Sequence, residues 1–257
     1  TIERTKVHKP MPPNNELVFG KYTTDHMFEV DWDANNGWSK PAIVPYHNLC
    51  LDPASSVFHY ALEVFFFFTS LSISIPVPNT PLTVGFEGLK AYKDSAGKVR
   101  LFRPMENMKR FRRSALRMAL PVRFCLLLRA TQEANDNAFD VGFDENELLE
   151  CLKELVKLEE RFIPRERGYS LYIRPTVIST SVRLQNSLAS VIFPYILYQQ
   201  QASLGVHVPR SAKLFIICSP VGPYYPTGWK PVSLYADPVH VRAWPGGTGS
   251  FKVGPYV

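Results

Sequence analysis

Cysteine is scarce in this chain of 257 residues, and its four copies stand apart. Cys50, Cys125, Cys151 and Cys218 form no CxxC pair, and none lies at zinc-ligand spacing to the six histidines. The pattern reads as free thiols in a reducing compartment, with no metal site. An acidic excess is missing as well. Lys and Arg number 29 against 23 Asp and Glu, for a net charge of +6 and a pI near 9.1. That balance suits an acidic or phosphorylated ligand, but the charge is too diffuse to indicate nucleic acid. No run is long and apolar enough for a membrane span. The candidate, Val64 to Val84, has a short apolar part interrupted by Pro76 and Pro78. No secretory or transit segment and no internal repeat is visible. Position 1 is Thr, not Met, so the sequence is expected to be a piece of a longer protein.

What is present fits a globular chain. Hydrophobic residues make up 46% and charged residues 20%, enough to bury the core of one large domain or two modest ones. Residues 1 to 20 are Pro-rich and polar, an irregular lead-in. Phe86 to Arg103 reads as two short strands around a turn at Asp94 to Gly97. Glu106 to Leu120 carries Met108, Phe111, Ala115 and Met118 at helical spacing. Asp144 to Phe162 is the clearest helix. Asp144 caps it, Glu147 completes a capping box, Leu148, Leu152, Leu155 and Leu158 share a face, and Pro164 stops it. Ser170 to Ser179, Lys213 to Cys218 and Pro231 to Ala236 read as strands. The mixture is α+β or α/β.

Three segments break this pattern: 64–84, 122–142 and 182–200. Each begins with valine, whose codons begin GT, and the first translates like a pyrimidine tract. We expect them to be short introns read through as protein; genuine loop insertions are the alternative. Without them, His59-Tyr-Ala-Leu-Glu meets Phe86-Glu-Gly-Leu-Lys-Ala-Tyr, Ala119-Leu-Pro meets Phe143-Asp-Glu-Asn-Glu, and Ile178-Ser-Thr meets Gln201-Ala-Ser-Leu-Gly-Val.

Six motifs then stand in order: Thr24-Asp-His-Met, Phe86-Glu-Gly-Leu-Lys-Ala, Arg100-Leu-Phe-Arg-Pro with Asn107-Met-Lys-Arg, Leu171-Tyr-Ile-Arg-Pro, Ser219-Pro-Val-Gly-Pro-Tyr and Arg242-Ala-Trp. In these the chain resembles the branched-chain amino acid aminotransferases, fold-type IV enzymes that use pyridoxal 5′-phosphate. One departure is Thr23, where the family usually has an aromatic. The resemblance implies an α+β fold. A small N-terminal domain would span 1–219, a linker 220–231, and 232–257 would be only the start of the larger pseudo-barrel domain. Family members continue well past the lysine, and with three insertions besides, this chain is expected to be inactive as written.

Lys252 lies among glycines, in Trp244-Pro-Gly-Gly-Thr-Gly-Ser-Phe-Lys-Val-Gly. Read bare, a near-terminal lysine is a solvated charge, although an amine among glycines can reach a carbonyl cofactor. The resemblance makes it the lysine that holds the cofactor as a Schiff base and shuttles the substrate proton. After it the family's Gly-Gly-Asn-Tyr is replaced by Pro255-Tyr-Val. Arg110 belongs to a basic helix with Arg103, Lys109, Arg112, Arg113 and Arg117, ordinarily a solvated face; the resemblance places it at the cofactor phosphate. Tyr172 and Arg174 alternate along a strand and so share a face. On their own they suggest a structural hydrogen bond; the resemblance sets them at the substrate carboxylate. Tyr60 and Phe86, core aromatics by default, match the apolar pocket for the branched side chain. Tyr224 matches a linker position facing substrate. Leu204, Gly205 and Val206 match a loop entering the partner subunit's site, which implies a homodimer.

The implied reaction moves the amino group of leucine, isoleucine or valine to 2-oxoglutarate, giving branched 2-oxo acids, in the cytoplasm or the mitochondrion. No nucleic acid or membrane partner is implied. The alternative is a non-catalytic truncated subunit bound to a full-length partner. D-amino acid transaminase and aminodeoxychorismate lyase share the cofactor geometry, but Thr24-Asp-His-Met and Arg242-Ala-Trp argue against them.

Overall fold

The computed structural model describes residues 1–60, 84–117, 143–180, 210–225, 230–236, 243 and 249–254. The segments 122–142 and 182–200, all of 64–84 except Val84, and Leu204, Gly205 and Val206 lie outside the described residues. So does Arg242.

The α+β expectation holds. Two long strands form the spine: β7 (Ser170–Ser179) and β8 (Ser211–Val221), antiparallel from Ser170↔Val221 to Ser179↔Ala212. β1 (His26–Asp33) lies along the other side of β8, and the short β2 (Gly37–Trp38) and β3 (Ala42–Pro45) pair with β1. On the far side of β7 come β4 (Val84–Phe86) and β5 (Leu89–Lys93), and β6 (Val99–Leu101) returns on β5. β9 (Val253–Gly254) adds to the outer edge of β4. The nine strands among the described residues form one antiparallel sheet, apart from a parallel bridge between Ile2 and Ile43.

β4 and β5 are one line of chain broken at Glu87-Gly88. The register runs unshifted from Phe86↔Thr176 to Leu89↔Ile173. The break faces Pro175, which accepts from the Glu87 amide at 2.9 Å but has no N–H to return. A proline in β7 therefore opens the ladder at this point.

Two helices cover one face. α2 (Pro104–Arg117) starts on proline, which suits a first helical position because its missing N–H is not needed there. Met108, Phe111 and Ala115 face inward, as their spacing predicts; the expected continuation to Leu120 lies outside the described residues. α3 (Glu145–Leu158) is capped by Asp144, whose carboxylate accepts from the Asn146 and Glu147 amides. It buries Leu148, Leu152 and Leu155 against α2 and the sheet, and a 3-10 turn (Glu160–Phe162) follows it. The sheet supplies Phe28, Val30, Trp32, Leu171, Ile173, Leu214 and Ile216 to the same core. Asp94 to Gly97 makes the expected turn, with Gly97 at φ 79°, a conformation that glycine adopts at low cost.

Two expectations need correction. Pro231 to Ala236 is not a strand; it runs exposed, with Tyr235 90% accessible. Its alternation pairs with no neighbouring strand among the described residues, and an unpaired strand keeps no ladder. β1 is a strand that our reading passed over.

Candidate functional site

The tripeptide Phe86-Glu87-Gly88, at the break opposite Pro175, organises the predicted residues. Alternation along the strand sends Phe86 and Glu87 to opposite faces. Phe86 shares its face with Arg174: the guanidinium carbon lies 4.8 Å from the Phe86 ring centroid. Lys252 Nζ lies 4.8 Å from that same centroid. Both cations thus lie within cation–π range of one aromatic ring.

Lys252 is fixed by its backbone. Its amide donates to Ser114 Oγ on α2 at 2.9 Å, and its carbonyl accepts from the Phe86 amide at 3.1 Å. Ser250 O accepts from Arg113 Nη2, and the Arg113 and Arg117 guanidinium carbons lie 6.0 and 5.7 Å from the Phe251 ring centroid. The segment carrying the lysine, just before β9, is therefore hydrogen-bonded to both α2 and β4.

Tyr172 and Arg174 meet as their alternation predicts. The Tyr172 hydroxyl accepts from Arg174 Nη2 at 2.8 Å and Nε at 3.2 Å. Gly88 makes this possible, since a Cβ there would lie 2.1 Å from that hydroxyl. The Phe19 ring closes the other side of Tyr172, edge-on with centroids 4.8 Å apart.

Arg110 sits one helical turn before Ser114, on the helix side with Glu87. Glu87 takes Arg110 Nε and Nη2 on its two oxygens, and this pairing holds the guanidinium pKa above its ordinary value. The Arg110 side chain is still 44% accessible. Arg112 has a different partner, Glu145 at 3.3 Å.

Among the described residues, Tyr224 makes no contact with this group. Tyr224 is 79% accessible and packs edge-on against Tyr225. Tyr60 ends the short helix α1 (Ser56–Tyr60). Our reading assigned no role to Glu87, Gly88 or Ser114. The first two lie inside a motif already noted, and Ser114 follows Arg110 by four positions on a predicted helix.

Elsewhere, Asp25, His26 and Glu159 come close enough to hold a cation. Their ligand atoms already have protein partners. Thr5 N donates to His26 Nε2, so the ring proton sits on Nδ1, facing Glu159 Oε1 at 2.5 Å. Glu159 Oε2 accepts from the Asp25 amide, and the Asp25 carboxylate accepts from Lys9 N and Arg161 and meets His8. The Thr24-Asp-His-Met motif is thus a tether between the N-terminal arm, β1 and the end of α3. A cavity of about 350 Å³ beside Asp33, Trp38 and Thr180 holds none of the predicted site residues.

No family model matches the chain. Curated relatives do, over nearly all of it. A branched-chain-amino-acid aminotransferase of Dictyostelium discoideum is 42% identical over 254 residues, 98% of this chain and 51% of that protein. A cytosolic one from Ovis aries is 41% identical, with 98% and 50% covered. A mitochondrial one from Bos taurus is 39% identical, with 96% and 48% covered. The chain spans about half the length of the curated relatives it matches. Among solved structures, the holo-form of a branched-chain amino acid aminotransferase from Thermobaculum terrenum aligns with a TM-score of 0.34 at 16% identity, covering 74% of this chain and 39% of that one. The chain is therefore homologous, over almost its whole length, to about half of a branched-chain-amino-acid aminotransferase.

Proposed function

We propose that this relative of the branched-chain-amino-acid aminotransferases carries the lysine-bearing part of a pyridoxal-phosphate transaminase site. The proposed reaction moves the amino group of leucine, isoleucine or valine to 2-oxoglutarate. The observation that carries the reading is Lys252 Nζ set 4.8 Å over Phe86, with Arg174 at the same distance from that ring.

The donor set fits the cofactor. A primary amine held by its backbone can bond a carbonyl carbon, and Arg110 offers a guanidinium edge to a phosphate. Pyridoxal phosphate, when bound, supplies the electron sink that makes a Cα–H bond acidic. The chain's own groups do the rest. Lys252 Nζ is the base that takes the Cα proton. Arg174, backed by the Tyr172 hydroxyl, offers N–H donors to a substrate carboxylate. Phe86 is proposed as an apolar wall for a branched side chain; the family resemblance assigns Tyr60 to the same pocket and Tyr224 to a linker position facing substrate. One methylene more or less in such a pocket changes binding by about 1–3 kcal/mol.

We assign residues 1–219 to a small domain, 220–231 to a linker and 232–257 to the start of a larger domain, as in fold-type IV enzymes. Leu204, Gly205 and Val206 are assigned to the partner's site in a homodimer, in the cytoplasm or the mitochondrion. No helix among the described residues is long and apolar enough to cross a membrane.

The test is reduction with borohydride after incubation with pyridoxal phosphate, read by peptide mass. The expected adduct sits on Lys252 and is lost in Lys252→Ala. An unmodified Lys252, or equal labelling of surface lysines, refutes the reading. Leucine transamination is measured in the same samples, alone and with a full-length homologue. No activity alone, together with co-purification with the homologue, favours a truncated subunit.

A further inference from the structure

Glu87 is a carboxylate with none of its side chain exposed, yet it faces four donors. Oε1 accepts from Arg110 Nε at 2.5 Å. Oε2 accepts from Arg110 Nη2 at 2.8 Å, Asn107 Nδ2 at 3.0 Å and the Gly88 amide at 3.1 Å. Its own amide is tied to Pro175 O at 2.9 Å. A buried carboxylate persists only when paired and hydrogen-bonded. Two oxygens against a planar fork also fix rotation, which a single contact does not.

Glu87 grips one edge of the guanidinium, the Nε and Nη2 side. The opposite edge carries Nη1 and the second Nη2 hydrogen, on a side chain that is 44% accessible. A free arginine samples many rotamers; this one has its plane set from below. Phe86, one residue earlier, is the ring that Lys252 Nζ rests on, so a single stretch of backbone sets both groups.

We propose that Glu87 is a positioning residue, which aims the outer edge of Arg110 at the phosphate of pyridoxal phosphate and so makes the site prefer phosphorylated over unphosphorylated pyridoxal. The inference rests on the reading of Arg110 given above. Glu87 itself touches neither cofactor nor substrate. Replacing it by glutamine puts an NH2 against the Arg110 donors and loses the fork. Aspartate keeps the charge but draws it back by one methylene.

The test uses the full chain. Binding of pyridoxal 5′-phosphate and of pyridoxal is followed by the absorbance of the lysine-bound carbonyl, and the ratio of the two Kd values is taken. For Glu87→Gln the preference is expected to fall about tenfold, the size of one charge-assisted contact. Arg110→Lys should fall as far, and the double variant no further. A purely structural role for Glu87 weakens both ligands alike; an unchanged ratio overturns the proposal, as do effects that multiply in the double variant. If Glu87→Gln does not fold by circular dichroism, Glu87→Asp is read the same way: a partial fall supports the proposal and a wild-type ratio overturns it. If the wild-type chain shows no uptake or no preference for the phosphorylated form, the reading of Arg110 fails and the proposal with it. A wild-type preference that survives in Glu87→Gln removes the proposal alone.

Discussion

Gly88 marks the tightest point of the site. A Cβ there would stand 2.1 Å from the Tyr172 hydroxyl and 2.9 Å from its Cζ. Gly88→Ala must push Tyr172 off Arg174, and overpacking of this kind costs about 1–3 kcal/mol. Thermal unfolding should show that loss, and Gly88→Ala/Tyr172→Ala should lose less than the two single changes added together. Full additivity would mean that the two residues do not meet. Tyr172→Phe removes the acceptor of two Arg174 bonds while sparing the ring. In an active form it should raise KM for leucine several-fold, about the worth of one hydrogen bond, with little change in the melting temperature. The roles of Glu87, Gly88 and Ser114 were not legible one residue at a time. Glu87 reads as a surface acid until α2 is laid over it, and Gly88 reads as a turn residue until Tyr172 arrives from 84 positions away.

At the scale of elements, the helices were legible and the strands less so. α3 announces itself by its leucine spacing and by Asp144, because a helix closes its hydrogen bonds locally. Leu152 is fully buried at its centre, and Leu152→Ala is expected to cost about 2–5 kcal/mol in chemical denaturation. The cap is a smaller matter. Hydrogen bonds from the Glu147 and Asn146 amides hold the Asp144 carboxyl below the usual range, and Asp144→Ala should lower the melting temperature at neutral pH but not in strong acid. β1 carries Phe28, Val30 and Trp32 at every second position, the signal that would have found it. Pro231 to Ala236 carries the same kind of signal and forms no strand. A strand is stabilised by its neighbour, and the sequence of one segment does not say whether a neighbour is there.

For the molecule as a whole, the buried network around Asp25 sets the response to acid. Burial alone would raise the Asp25 pKa, but hydrogen bonds from His8, Arg161 and the Lys9 amide outweigh it and hold the folded value below the usual 3.8. A depressed carboxyl stabilises the fold above its unfolded pKa and loses that contribution as pH falls through the folded one. The melting temperature should therefore drop below about pH 4, and Asp25→Asn should be less stable at neutral pH with a flatter acid limb. An identical acid limb in the variant would refute the assignment. The tether also shows where sequence and structure divide. By itself, the sequence determined the motif order, the helices and the identity of Lys252, Arg110, Tyr172 and Arg174 as groups to watch, since these follow from local periodicity and from motifs contiguous in the chain. Only the tertiary structure decided that Lys252 lies over Phe86, that Glu87 grips Arg110 and that His26 is bound to Glu159. Those pairings join residues 166, 23 and 133 positions apart. Such contacts depend on which strands and helices pack together, and Pro175, by breaking the ladder, sets where β4 and β5 part around Glu87-Gly88.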